Sequence, residues 1–337
     1  MPDRARDIAA FLAGAGWADA TRTPLAGDAS ARRYERLTQG AESAILMDAP
    51  PAAGNDTRPF ARIGKHLLGG GLSAPHILAH DPALGLMLLE DLGDALFAHV
   101  MAQDPFQERA LYFAAVDALA ALHRLPIPHG VPSFTPRQMA EMTDPAFLWY
   151  AKGITGTAAG LNEVIDQLET HLKAAQTAPV LALRDFHAEN LLWLPDRDGV
   201  QRVGLLDFQD GFAGHPAYDL VSLTEDARRD VDPTLADDLL AHYIAQTGQD
   251  TAAFRQAAAT SAAQRNLRIL GVFARLSLHF GKPDYVDLIP RVWDQLQRDL
   301  SQPHLRDLRD LITVHLPAPS PENLQILRDK CATIPTL

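Results

Sequence analysis

Up to about residue 90 the apolar positions come in short runs broken by polar turns, the signature of strands. Strands are predicted near 21–26, 32–38, 43–48, 75–80 and 84–89, with one helix over 4–14 and another near 58–69. From about residue 94 the pattern turns helical. Asp104-Pro105, Thr135-Pro136, Asp144-Pro145, Asp232-Pro233 and Ser320-Pro321 each set a capping side chain before a proline suited to the first helical position. One interruption stands out in the helical half. Leu191-Leu192-Trp193-Leu194 and Arg202-Val203-Gly204-Leu205-Leu206 flank Pro195-Asp196-Arg197-Asp198-Gly199 and read as a hairpin with a polar turn. No internal repeat appears, and alanine-rich helices are the only compositional bias along the chain.

The ends of that hairpin carry the chemistry. Asp185 precedes Asn190 by five residues, and Asp207 follows Asn190 by 17, behind an apolar run. This is the layout of a kinase catalytic loop and its metal-binding aspartate. Phosphoryl transfer needs one carboxylate to hold the attacking hydroxyl and oxygen ligands for the Mg²⁺ that bridges nucleotide phosphates. Asp185 is the candidate for the hydroxyl; Asn190 and Asp207 are the candidates for the metal. A bland reading makes them three unrelated polar residues beside two core strands. The hairpin argues against it, because it brings Asn190 and Asp207 side by side.

A strand-rich segment followed by a helical one predicts an α+β chain with a bilobal, protein kinase-like fold. A small antiparallel β-sheet lobe (1–92) would bind nucleotide, and a larger, mainly α-helical lobe (93–337) would hold catalytic and substrate residues. The expected joint is Leu88-Leu89-Glu90-Asp91-Leu92-Gly93, where backbone groups around Glu90 and Leu92 would meet adenine. The stretch Gly27-Asp28-Ala29-Ser30-Ala31-Arg32-Arg33-Tyr34 stands where a phosphate-covering loop belongs. Gly27 and Ser30 would let backbone and hydroxyl donors approach a phosphate, and Arg33 or Arg32 would add charge. A polar hairpin turn is the competing reading. The third strand departs from the kinase pattern: Met47 or Asp48 falls where a lysine usually stands. Arg58, Arg62 and Lys65 share one face of the following helix. Either Asp48 pairs with Arg62 or a neighbouring base in a charge-reversed arrangement, or that face is simply solvated.

Composition narrows the partners. A formal net charge of −12 without a long basic run argues against nucleic-acid or anionic-membrane binding. The single cysteine, Cys331, rules out an internal disulfide and suits a reducing compartment. The acid-containing N-terminus does not read as a signal peptide, and no apolar run reaches the ~20 residues of a membrane span. These readings point to a cytoplasmic protein.

The chain resembles the aminoglycoside phosphotransferase and choline kinase family across nearly its whole length. The resemblance rests on Leu25–Ser30, Leu46-Met47-Asp48-Ala49-Pro50-Pro51, Leu89–Asp94, Arg184–Leu191, Leu205–Asp210 and Gln264-Arg265-Asn266-Leu267. The second and last of these stretches resemble the bacterial anomeric sugar kinases acting on N-acetylmuramate and N-acetylglucosamine in cell-wall recycling. That resemblance implies ATP and Mg²⁺ as cofactors and an amino-sugar substrate. The sugar 1-phosphate would pass to a nucleotidyltransferase, and the missing lysine becomes a subfamily trait. It also makes His187, Asp210, Arg265 and Arg268 candidates for sugar contact, the arginines for a lactyl carboxylate. Surface arginines often pair with acids instead, here Glu225, Asp226, Asp230 or Asp232. Two alternatives stay open: a kinase for an aminoglycoside or choline-type hydroxyl, and a nucleotide-binding pseudokinase.

Overall fold

The computed structural model describes residues 2–25 and 32–335. Gly27 and Ser30, predicted to cover a phosphate, lie outside the described residues. In chain order the first elements are α1 (Pro2–Gly14), β1 (Thr21–Pro24), β2 (Arg33–Gln39), β3 (Glu42–Asp48), α2 (Arg58–Gly69), β4 (Ile77–Asp81), β5 (Leu86–Glu90), α3 (Phe97–Gln103) and α4 (Glu108–Leu122). Next come α5 (Pro136–Glu141), α6 (Lys152–Thr155), α7 (Leu161–Ala174), β6 (Val180–Ala182), β7 (Leu191–Trp193), β8 (Val203–Leu205) and β9 (Phe212–Gly214). The chain closes with α8 (Ala217–Thr224), α9 (Pro233–Thr247), α10 (Thr251–Leu278), α11 (Ile289–Leu300), α12 (Arg306–His315) and α13 (Pro321–Asp329). Among the described residues no helix is long and apolar enough to cross a membrane.

The elements divide into two compact units, one of residues 1–131 and 183–211, the other of 132–182 and 212–337. The first contains a five-stranded antiparallel sheet in the order β1-β2-β3-β5-β4 and the β7–β8 hairpin. Alternation along the strands sorts its side chains. Leu37, Ala44, Leu46, Leu86 and Leu88 face α1 and bury Ile8 and Leu12 beneath the sheet. Asp48 belongs to this same face by the two-residue period, and the structure puts it against α1: Arg4 Nε donates to its carboxylate at 3.0 Å. The charge-reversed pair between Asp48 and Arg62 is therefore corrected. Asp48 does meet a base, but one 44 residues earlier in the chain. Arg62 instead extends toward Gly130, its Nη1 3.3 Å from where a Cβ would stand there.

The opposite face of the sheet carries Met47, buried and paired in register with Tyr34. The helix α2 has the apolar spacing of an amphipathic helix, burying Phe60, Ile63, Gly64 and Leu67. Phe60 stacks on Phe208 with ring centroids 4.6 Å apart, and a Cβ on Gly64 would come within 3.3 Å of that same ring. Helix α2 is thus seated on the residue that follows Asp207.

The second unit is helical apart from the β6–β9 ladder, and its core gathers along α10. That 28-residue helix crosses residues 146–151 closely enough that a Cβ on Gly271 would stand 2.0 Å from the Pro145 carbonyl carbon. Thr135, Asp232 and Ser320 cap their helices as expected, Thr135 in a full capping box. Asp104-Pro105 opens a 3₁₀ turn ahead of α4. At Asp144-Pro145 the outcome differs: a π-helical segment, Ala146–Ala151, follows, and no side chain caps it. Its Trp149 and Tyr150 are core residues, the Tyr150 hydroxyl donating to the Pro317 carbonyl at 2.7 Å.

Asp48→Ala and Arg4→Ala should each lower stability by about 1–3 kcal/mol, since each leaves a half-buried charge without its hydrogen-bonded partner. A urea double-mutant cycle should show strong non-additivity; additive losses would mean that the pair contributes nothing.

Candidate active site

The hairpin builds the site by backbone pairing. Leu191 pairs with Leu205 and Trp193 with Val203, and the ladder runs one step further, Leu206 N–H donating to the Asn190 carbonyl at 3.0 Å. Asn190 and Asp207 therefore leave the same end of the hairpin. Its other contacts fix it to the segment ahead of β4 and to the start of α3. Leu205 N–H donates to Ser73 O at 2.8 Å, Trp193 N–H to Ala95 O at 2.8 Å, and Ala98 N–H to the Ala188 carbonyl of the 184–191 loop at 3.1 Å. The loop itself is closed by Asn190 N–H on the His187 carbonyl at 2.8 Å.

Two of its residues are held in left-handed backbone, Arg184 at φ 78° and Asp207 at φ 54°. Such conformations cost of order 1–3 kcal/mol in non-glycine residues and persist where the surroundings enforce them. Here the neighbours are the hairpin and the buried Phe208 ring. The strain aims the two carboxylate-bearing turns in fixed directions.

Side-chain bonds prepare the oxygen ligands. The Asn190 amide nitrogen donates to the Asp185 carbonyl at 2.9 Å, which leaves the amide oxygen for another partner. Gln209 Nε2 donates to Asp207 Oδ1 at 2.7 Å and lies 3.3 Å from Asp210 Oδ2. The Gln209 amide oxygen is buried without a hydrogen-bond partner among the described residues. Burial pushes the Asp207 carboxyl up to about 6; the carboxylates of Asp185 and Asp210 add to the shift, while Gln209 and Arg32 oppose it. A carboxylate disfavoured in this way is relieved by a cation. One carboxylate and one amide oxygen suit Mg²⁺, which keeps several waters and takes few protein ligands. Among the described residues no cluster of three or more His, Cys, Asp or Glu side chains forms a fuller metal cage.

The remaining candidates separate. His187 is buried, with Nε2 3.4 Å from the Asn190 amide nitrogen, and Asp210 is exposed. At the linker the Glu90 N–H is already taken by the His76 carbonyl at 2.8 Å, and its side chain bonds Arg197 at 2.7 Å. Leu92 lies half-buried near Gly204, and Arg36 ties down Asp91 and Asp94 at 2.7 and 2.8 Å. Arg33 is exposed on β2, whereas its neighbour Arg32 stands 3.6 Å from Asp207. In the helical unit Arg265 is buried, with Nη2 2.9 Å from the Ser222 hydroxyl and Nη1 3.4 Å from the Glu225 carbonyl. Arg268 lies with Arg275 near Asp144, whose carboxyl is raised by burial and lowered by both guanidiniums. Sequence reasoning missed the carboxyl pair Glu225–Asp299. Both carboxyls are raised by burial and share a hydrogen bond, and Asn266 donates to each, at 2.6 and 3.0 Å. Nothing local signals a partner 74 positions away.

Residues 21–257 match the phosphotransferase enzyme family. The chain belongs to that family. It is a phosphotransferase. It is 38% identical to the N-acetylmuramate/N-acetylglucosamine kinase of Caulobacter vibrioides, with 92% of this chain and 96% of the relative covered. It is 30% identical to the enzyme of the same name from Pseudomonas aeruginosa, over 88% and 90% of the two chains. Among solved structures, a choline/ethanolamine kinase family protein from Mesorhizobium loti superposes with a TM-score of 0.63 at 17% identity, covering 97% of this chain and 99% of that one. At that identity the likeness shows the fold alone, a protein kinase-like one.

The Asp207 carboxyl should titrate near pH 6 in the metal-free protein, read by carboxyl ¹³C NMR. Its folded value lies above the unfolded one of about 4, so it detracts from stability above pH 6. That loss is recovered as pH falls from about 6 toward 4. In Asp185→Asn the repelling carboxylate is gone and the Asp207 titration should move down; an unchanged midpoint would refute the coupling.

Proposed function

We propose that this phosphotransferase moves the γ-phosphoryl group of ATP to the anomeric hydroxyl of N-acetylmuramate or N-acetylglucosamine. The observation that carries the substrate is the near end-to-end similarity to kinases bearing those names. The loop geometry supports the reaction, with Asp185 just ahead of the paired ends that present Asn190 and Asp207.

Asp185 orients the sugar hydroxyl and accepts its proton as the oxygen attacks the γ-phosphorus. The new P–O bond forms as the bond to the β,γ-bridging oxygen breaks, and ADP leaves with that electron pair. The ring oxygen makes the anomeric hydroxyl the most acidic of the sugar, so a carboxylate base suffices. The Asn190 amide oxygen and the Asp207 carboxylate would hold Mg²⁺, which neutralises charge on the phosphates. Asn190 keeps its ligand oxygen in place by anchoring its own nitrogen on the Asp185 carbonyl. Gln209 steers Asp207 from one side. Adenine would lie along the Glu90–Leu92 linker, which Arg36 and Arg197 hold rigid. Most of the acceleration comes from positioning and charge neutralisation. The product, a sugar 1-phosphate made in the cytoplasm, is the substrate of a nucleotidyltransferase.

With N-acetylmuramate, ATP and Mg²⁺, ³¹P NMR should show a new signal coupled to the anomeric proton. Asp185→Asn should slow its appearance by about 10²–10⁴-fold while nucleotide affinity is retained. Turnover of kanamycin or choline in place of the amino sugars would overturn the substrate. Tight ATP binding with no acceptor turned over would overturn the reaction.

A further inference from the structure

Kinases commonly place a lysine on the third strand to meet the nucleotide phosphates, and this chain has none there. Strand alternation identifies the vacant position. Asp48 faces α1 and is occupied by Arg4, so the residue directed to the opposite face is Met47, which is buried and uncharged. The basic residues of α2 do not replace it: Lys65 is exposed, and Arg62 lies by Gly130. Tyr34 stands opposite Met47 in the β2–β3 register, and strand alternation carried one residue ahead of β2 puts Arg32 on the side of Tyr34. Arg33 pairs in register with Asp48 and belongs to the other face. The Arg32 side chain is only 16% exposed, and its Nη1 is 3.6 Å from Asp207 Oδ1. That separation makes an ion pair without a hydrogen bond. It also places a positive charge beside the carboxylate at which the metal-bound phosphates would arrive.

We propose that Arg32 is the phosphate-binding cation of this enzyme, supplied from the residue just ahead of β2 in place of the lysine that β3 lacks. With the Asp207 carboxylate engaged by Mg²⁺, the Arg32 guanidinium would be released to meet the nucleotide phosphate oxygens. A planar guanidinium bonds two phosphate oxygens at once. Arg32 can thus do from β2 what an ammonium group does from β3. The inference rests on the ATP-dependent reaction proposed above.

Calorimetric titration with ATP, ADP and adenosine, in EDTA and in Mg²⁺, separates the two. Arg32→Ala should weaken ATP and ADP by about ten- to a hundredfold and leave adenosine unchanged; Arg32→Lys should recover part of the loss. Arg32→Gln keeps the bulk and polarity of the side chain and carries the same test should the alanine variant fail to fold. ATP affinity equal to wild type in Arg32→Gln would overturn the assignment and leave the kinase reading intact. An equal loss for adenosine and ATP would overturn it in favour of a structural role. A wild-type protein that binds none of the three ligands would overturn both.

Discussion

The antiparallel pairing between residues 190 and 206 is the interaction on which the site depends. Three residue pairs and one further hydrogen bond determine that Asn190 and Asp207 share one end of a hairpin. A slip of one residue in this register would turn the neighbouring side chains to the opposite face. Slippage is opposed on several sides. Ser73 holds the backbone of β8, Ala95 that of β7, and Ala98 the loop before it. The ligand end of the hairpin is therefore placed by main-chain bonds, which side-chain substitution disturbs least.

Around this frame the polar side chains act in two ways. Arg36 and Arg197 are braces: one binds two acids of the linker, the other spans Glu90 and the Ser73 hydroxyl, which in turn donates to Gln201 O. Asn190 and Gln209 are guides, each spending its amide nitrogen to orient an oxygen nearby. Phe208, clasped by Phe60 and Gly64, couples α2 to the turn that carries Asp207. Aromatic pairs of this kind add about 0.5–1.5 kcal/mol beyond their burial. Packing and hydrogen bonding together hold Asp207 in a backbone conformation it would not adopt by itself.

Electrostatics around Asp207 follow from this confinement. A partly buried carboxylate near Asp185 and Asp210 is short of compensating charge, and Arg32 is the cation brought to it. The acid on β3 takes no part, because the two-residue period of the strand turns it toward Arg4 on α1.

Local periodicity made most of the fold legible from the sequence. The helix at 58–69, the five sheet strands and the hairpin follow from alternation, capping and turn residues, signals that act over a few positions. The spacing that singled out Asp185, Asn190 and Asp207 as candidates was legible for the same reason, since it is tied to one hairpin. Other outcomes depended on contacts far apart in the chain. Arg4 against Asp48, Arg32 against Asp207 and Glu225 against Asp299 are each separated by more than 40 residues. Arg265 was a candidate for a substrate carboxylate with pairing to nearby acids as the alternative, and its surroundings, Ser222 and the Glu225 carbonyl, arise from another helix and its end. The sequence by itself determined which backbone elements form and which oxygens can leave one hairpin end together. Only the tertiary structure decided which charge meets which, because an ion pair is selected by proximity in space, and alternation names the face of a strand but not what lies against it.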